Sequence, residues 1–216
     1  QDYSTAIELN PELAEAYNSR GATYANKNEF DRAIQDYSTA IELNPELAEA
    51  YKMRGFAYNE TDALEYALKD LTRAIELNPE DTQAYNIRGI IYATTGRVDE
   101  AIQDCSKAIE LNPEDTEAYK TRGIIYTAIG DFDTAIQDYN KAIELNPEHA
   151  GTYTNRGEAW LHLSEWEKAK VDINTAKNMG VDIVASFHND YETVADFEAK
   201  YGVKVPENIA ALLRGD

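Results

Sequence analysis

The heptapeptide AIELNPE occupies residues 6–12 and recurs letter for letter at 40–46, 74–80, 108–114 and 142–148. The spacing between successive copies is constant. The residue before a proline is disfavoured in the α region, so the Asn-Pro step predicts that a helix ends within each copy. Proline suits the start of the next helical turn because it has no N–H group to leave unpaired. Each heptapeptide is therefore predicted to connect two helices with the same geometry.

Rows that start at Ala14 and keep the spacing of the heptapeptide align without a gap over most of the chain. In each row a tyrosine, an Arg-Gly pair and a second aromatic residue follow the spacing of one stripe of an amphipathic helix. Two alanines on one side of the following segment predict a second helix that packs closely against the first. Between the two helices lies a short break, and several residues there tolerate the left-handed conformation that ends helices. These residues are Asn28, Asp62, Gly96, Gly130 and Ser164.

This pattern of a small residue, glycine, an aromatic residue, two alanines and proline resembles the signature of the tetratricopeptide repeat family. The resemblance covers about residues 1–180. It implies an all-α fold, a right-handed solenoid of antiparallel helix pairs known as the tetratricopeptide superhelix. The chain departs from the family pattern at the arginine before each glycine, where leucine is common, and at Asp62, where glycine is usual.

The rows define the predicted repeats, which are 14–47, 48–81, 82–115, 116–149 and 150–180. Residues 1–13 match only the second helix of an earlier repeat, so we expect at least one further repeat upstream in the full-length protein. Residues 181–216 lose the period and predict two or three short helices, broken near Asn189, Gly202 and Pro206. This segment is expected to cap the open flank of the last repeat, because terminal repeats need a cap for solubility.

The chain carries 40 acidic residues against 20 Lys and Arg, a formal net charge of −20. Such a surface repels nucleic-acid phosphates and anionic lipid, and it attracts basic or mixed peptides. No apolar run approaches the roughly 18 residues that a membrane span needs. We therefore expect no nucleic-acid binding, no membrane insertion and a cytoplasmic location. The alternative explanation of the charge is that acidic helix faces keep the protein soluble.

The sequence does not predict an active site. Cys105 is the only cysteine, and it falls where other rows carry Tyr or Leu, so we predict a small core residue rather than a nucleophile. His149, His162 and His188 lie at unrelated positions with no cysteine or second histidine at ligand spacing. We expect no enzymatic activity, no metal site and no cofactor.

Arginine and aspartate each recur once per row. Each Asp precedes the Arg of the following row at a fixed separation, as Asp36 precedes Arg54. In an antiparallel stack this separation can place the two side chains on adjoining helices, which predicts a ladder of ion pairs between repeats. Exposed pairs would contribute ~0–1 kcal/mol each, whereas partly buried pairs mainly fix register. The predicted ladder comprises Asp36, Arg54, Asp70, Arg88, Asp104, Arg122, Asp138 and Arg156. An anion-binding row of arginines is the functional alternative, but the recurring aspartates favour the structural role.

In the family, the free faces of the first helices line a concave groove, and here the matching residues vary between rows. Phe56, Ile90 and Ile124 would form an apolar strip along this groove. Amide and ammonium groups beside the strip suit the backbone and carboxylates of a bound peptide. The predicted peptide-binding groove comprises Asn18, Lys52, Phe56, Asn59, Asn86, Ile90, Lys120 and Ile124. Alternatively, these side chains partly bury against adjoining first helices and bind nothing.

The resemblance implies a non-catalytic scaffold that holds a peptide or helix of a partner protein in the groove. Some relatives bind acidic chaperone tails through a two-carboxylate clamp, which needs an asparagine one turn after a lysine. Lys52 is followed by Phe56 instead, which disfavours that clamp. Two other hypotheses remain. The segment targets or regulates an enzyme domain elsewhere in a larger chain, or the uncovered N-terminal helix mediates self-association.

Overall fold

The computed structural model describes residues 2–189 and 191–215, apart from the side chain of Asp2. Fourteen α-helices and no β-strand occupy these residues, so the predicted all-α fold class is confirmed. Gln1, Asp190 and Asp216, which belong to the predicted terminal segments, lie outside the described residues. The chain divides into two compact units, Gln1–Pro113 and Glu114–Asp216.

The first unit is a stack of helical hairpins. Its helices are α1 (Asp2–Leu9), α2 (Ala14–Ala25), α3 (Phe30–Leu43), α4 (Ala48–Glu60), α5 (Leu64–Leu77), α6 (Thr82–Thr94) and α7 (Val98–Leu111). The first helices of successive repeats contact one another, α2 with α4 and α4 with α6. Among the described residues, α3, α5 and α7 make no contact of similar extent with one another. The unit therefore curves toward its first helices, whose free faces form its inner side.

The second unit combines two hairpins with a C-terminal segment. Its helices are α8 (Thr116–Ala128), α9 (Phe132–Leu145), α10 (Ala150–His162), α11 (Trp166–Asn178), α12 (Ile183–His188), α13 (Val194–Tyr201) and α14 (Glu207–Arg214). Phe197, Ile209 and Leu213 of the segment are buried in one core cluster with Leu161 and Ile173 of the last hairpin. The apolar side chains of the three short helices therefore cover the flank of that hairpin.

Four of the Asn-Pro steps adopt the same conformation. Asn44, Asn78, Asn112 and Asn146 are extended, with φ between −135° and −140°. The Asn44 side-chain oxygen accepts a hydrogen bond from the backbone N–H of Glu46, at 3.1 Å. Proline lies within this turn and the next helix begins shortly after it, at Ala48 after Pro45. The junction is thus a turn closed by an asparagine side chain, and proline precedes the helix rather than starting it.

A glycine in each first helix allows the second helix to come close. A Cβ atom at Gly123 would lie 2.6 Å from the ring of Tyr139, which is itself buried. A Cβ atom at Gly89 would lie 3.0 Å from the Sγ atom of Cys105. Cys105 is fully buried, which confirms its predicted place in the core.

The turn between the two helices of each hairpin contains one left-handed residue, as the sequence predicts. Positive φ angles occur at Asn28, Asp62, Gly96, Gly130 and Ser164. This conformation costs an ordinary L residue roughly 1–2 kcal/mol and asparagine or aspartate less. Among these five residues, Ser164 therefore has the most strained backbone.

Candidate functional site

The inner side of the first unit presents an isoleucine to solvent. Ile90 of α6 is 39% exposed, whereas the next residue, Ile91, is fully buried. Phe56 holds the same repeat position in α4, but it is half-buried and packs edge-on against Phe30 with ring centroids 6.4 Å apart. Ile90 is therefore the most accessible apolar side chain of the predicted strip in this unit.

Lys52 differs from the expectation that it edges the strip as a free ammonium group. Its side chain is 8% exposed, and its Nζ atom lies 2.8 Å from Glu49 Oε2 and 3.1 Å from Asp81 Oδ2. Nζ also donates a hydrogen bond to Gln83 Oε1 at 3.2 Å. Burial disfavours the ammonium form, but the bonds to the two carboxylates outweigh burial and raise the pKa of Lys52. Lys52 therefore links α4 to the start of α6 and offers no free charge to a ligand.

The sequence contains a signal for this link that the prediction for Lys52 does not include. Asp81 precedes α6 at the position that Leu13 and Leu47 hold before α2 and α4. Its side chain accepts a hydrogen bond from the Ala84 N–H at 3.1 Å and so caps the helix. An acidic N-cap close to the lysine of the preceding repeat gives that lysine a partner.

The predicted amides of the first unit fall into two groups. The side-chain oxygens of Asn18 and Asn86 are buried and have no hydrogen-bond partner among the described residues. Asn59 instead donates a hydrogen bond to Glu60 Oε1 at 3.3 Å. Because these oxygens have almost no accessible surface, Asn18 and Asn86 offer no exposed amide oxygen to a ligand.

The second unit repeats the isoleucine pattern on its own inner side. Ile124 of α8 is 46% exposed, while Ile125 is buried. Lys120, one turn earlier, forms an ion pair with Glu117 and keeps 19% of its side chain exposed. This lysine is therefore more accessible than Lys52.

The Arg–Asp pairs lie within hairpins, so the prediction that Asp36 pairs with Arg54 is wrong. Arg20 donates through Nε to Asp36 Oδ2 at 2.7 Å and through Nη2 to Oδ1 at 2.8 Å. The short turn between the two helices of a hairpin brings these two side chains together. The same bidentate geometry joins Arg54 to Asp70, Arg88 to Asp104, Arg122 to Asp138 and Arg156 to Asp172.

Neutral acceptors provide the contact to the preceding repeat. Arg54 Nη1 donates a hydrogen bond to Ser38 Oγ at 2.9 Å, and Arg88 Nη1 donates one to Thr72 Oγ1 at 3.1 Å. The recurring tyrosines flank the same groups, since the guanidinium carbon of Arg54 lies 5.8 Å from the ring centroid of Tyr51. These arginines are engaged in structure, which argues against an anion-binding row.

Two further properties concern the described part of the chain. Its helices include none that combines the length and the apolar character needed to cross a membrane. Across residues 2–189 and 191–215, no group of three or more His, Cys, Asp or Glu side chains is arranged to hold a metal ion.

Three sequence models of the tetratricopeptide repeat match the chain. They cover residues 82–115 and 116–149, residues 20–90, and residues 3–35. Together the matches extend from residue 3 to residue 149, more than half of the 216 residues. The chain belongs to the tetratricopeptide repeat (TPR) family.

Several solved structures resemble the chain over most of its length. YrrB, described as a TPR protein with an unusual peptide-binding site, is 26% identical over 88% of this chain and 97% of its own, with a TM-score of 0.67. MamA is 26% identical over 74% of this chain and 93% of its own, also with a TM-score of 0.67. PilF of Pseudomonas aeruginosa shares the fold at 18% identity, covering 89% and 90% of the two chains with a TM-score of 0.75. The comparison with curated proteins found no match.

Proposed function

We propose that this TPR protein is a non-catalytic interaction scaffold that holds a peptide or helix of a partner protein against the inner side of its repeats. The exposed isoleucine beside a buried one carries the proposal, because Ile90 and Ile124 stay accessible while Ile91 and Ile125 form the core. The likeness to YrrB, which is described as having a peptide-binding site, supports it.

The chemistry of the inner side fits such a ligand. Covering an exposed isoleucine with an apolar side chain gains about 25 cal/mol for each Å² removed from water. A net charge of −20 steers peptides with basic residues toward the surface.

Peptides selected from a random display library against the immobilised 216-residue chain provide the test. Each selected peptide should lose affinity about tenfold or more, ~1.4 kcal/mol or greater, in Ile90→Glu or in Ile124→Glu, because a carboxylate replaces an apolar contact. Circular dichroism should show unchanged helicity, since both side chains point to solvent.

Tyr66→Glu is the matched control. Tyr66 is an apolar side chain that is 63% exposed, and it lies on the second helix α5 rather than on the inner side. Its substitution should leave peptide affinity unchanged. If Ile90→Glu, Ile124→Glu and Tyr66→Glu all keep the affinity of the unsubstituted chain, or all lose it to the same extent, the inner side is not the binding surface.

Self-association through α1 is a second candidate function. Tyr3 and Leu9 on this helix are 45% and 83% exposed, which leaves apolar surface at that end of the first unit. Light scattering over a range of concentrations, with and without residues 1–13, tests it. A mass that stays monomeric in both chains excludes this candidate.

A further inference from the structure

A pocket of about 630 Å³ opens on the inner side of the second unit. It lies where the first helices α8 and α10 meet the C-terminal helix α13, so the C-terminal segment supplies one wall. The lining includes apolar, aromatic and acidic side chains and one basic side chain, that of Lys200. Six of these are Ile124, Ile129, Phe132, Glu158, His162 and Tyr201.

The imidazole of His162 is held rigidly in this pocket. It stacks on Phe132 with centroids 4.3 Å apart and ring planes 7° from parallel. Tyr201 packs edge-on against it, also at 4.3 Å. The His162 side chain is only 3% exposed, so neighbouring rings fix its orientation.

The hydrogen bonds around Tyr191 determine which nitrogen of His162 carries a proton. The Tyr191 hydroxyl donates to Glu158 Oε1 at 3.2 Å and lies 3.1 Å from His162 Nε2. A hydroxyl has one hydrogen and an ionised carboxylate can only accept, so the Tyr191 oxygen accepts from Nε2–H. Burial raises the pKa of Tyr191, which keeps its hydroxyl protonated. The buried Nδ1 atom has no hydrogen-bond partner among the described residues.

The ammonium group of Lys200 lies near two aromatic rings of the pocket. The exposed side chain of Lys200 places its Nζ atom 5.3 Å from the Tyr191 ring centroid and 5.1 Å from that of Tyr201. Glu158, whose side chain is 28% exposed, is the carboxylate that a cation entering the pocket would reach. Aromatic faces and a reachable carboxylate together favour a cationic guest.

We propose that this pocket receives an arginine side chain of the bound peptide, an inference that rests on the proposed function. A guanidinium group is planar and stacks on aromatic rings, and its five N–H donors match the oxygens of Glu158. The acidic chain as a whole attracts such a peptide. The exposed Lys200 is the competing cation that the arginine displaces from the ring faces.

Nuclear magnetic resonance titration of the 216-residue chain with N-acetyl-arginine N-methylamide tests the inference. The ¹⁵N resonance of His162 Nδ1 and the ring resonances of Tyr201 should shift, and the norleucine and glutamate analogues should leave both unchanged. Glu158→Gln should weaken arginine binding roughly tenfold or more, because a charge-assisted hydrogen bond is lost. Lys200→Met should strengthen binding several-fold, because the competing cation is removed.

Opposite results overturn the inference. Preference for the glutamate analogue would show that the pocket binds anions. Weaker binding of the arginine probe in Lys200→Met would show that Lys200 is part of the site and not a competitor for it. Absence of shifts at His162 and Tyr201 with all three probes would show that it binds none of these side chains. The display-selected peptides distinguish this inference from the proposed function. If only the arginine pocket is wrong, these peptides should still bind the chain, and their affinity should still depend on Ile90.

Discussion

The inner sides of the two units differ in how much of their surface is enclosed. In the first unit Lys52 is neutralised by Glu49 and Asp81, and Ile90 faces open solvent. In the second unit α13 brings Tyr201 against His162 and closes a pocket beside Ile124. The same repeat therefore gives an open apolar surface where hairpins only stack, and an aromatic pocket where the period stops.

Removing a core side chain of the C-terminal segment should have the largest effect on the difference between the two units. Phe197 is fully buried, and its ring centroid lies 5.0 Å from those of Tyr191 and Tyr201. Phe197→Ala should cost about 3–5 kcal/mol, because it deletes a buried ring and leaves a cavity. Hydrogen exchange should accelerate in α10–α14 and remain unchanged in α2–α6. Equal acceleration in both sets of helices would contradict a role confined to the second unit.

Breaking an Arg–Asp pair tests a feature that the two units share. Asp104→Ala in the first unit and Asp172→Ala in the second should each cost about 3 kcal/mol, because a partly buried guanidinium loses its carboxylate. Urea unfolding provides the measurement. The double variant Arg88→Leu with Asp104→Ala should recover most of the loss. No recovery would show that the single-variant cost comes from lost packing rather than from the unpaired charge.

The glycine contacts give a smaller and graded effect. A Cβ atom at Gly123 would lie 2.6 Å from the Tyr139 ring, whereas one at Gly157 would lie 3.3 Å from Ile173. Alanine gains roughly 0.5–1 kcal/mol in a helix, and overpacking costs about 1–3 kcal/mol. Gly123→Ala should therefore lower the free energy of unfolding by ~1 kcal/mol, and Gly157→Ala should change it little. A larger loss at Gly157 would refute clash distance as the cause.

The smallest effect concerns acid stability of the C-terminal segment. The Val205 N–H and the Lys204 ammonium group lower the pKa of Glu198 below its ordinary value of 4.5. The ionised Glu198 carboxylate therefore stabilises the folded state at pH values above 4.5. This stabilisation is lost as the pH falls through the lowered pKa of the folded state. Urea midpoints measured between pH 3 and 6 should fall less steeply toward low pH in Glu198→Gln than in the unsubstituted chain. Glu192→Gln, at an exposed position of the same segment, should match the unsubstituted chain.

Periodic features could be predicted from the sequence, and non-periodic ones could not. The core position of Cys105 and the left-handed turns follow from comparison of the rows. Pairing of Asp36 with Arg20 and pairing with Arg54 both fit antiparallel helices, so spacing alone did not identify the true partner. The pocket around His162 depends on Tyr191 and Tyr201, which lie in a segment without a repeat to compare.

Neutralisation of each arginine inside its own hairpin has a consequence for how such a chain lengthens. For its hydrogen bond to the preceding repeat, each arginine requires only a small neutral acceptor. This acceptor is Ser38 for one arginine and Thr72 for another. A hairpin that is duplicated or deleted therefore keeps its own Arg–Asp pair at either new junction. Tandem copying of whole repeats therefore leaves the arginines paired, in keeping with a heptapeptide preserved in five copies.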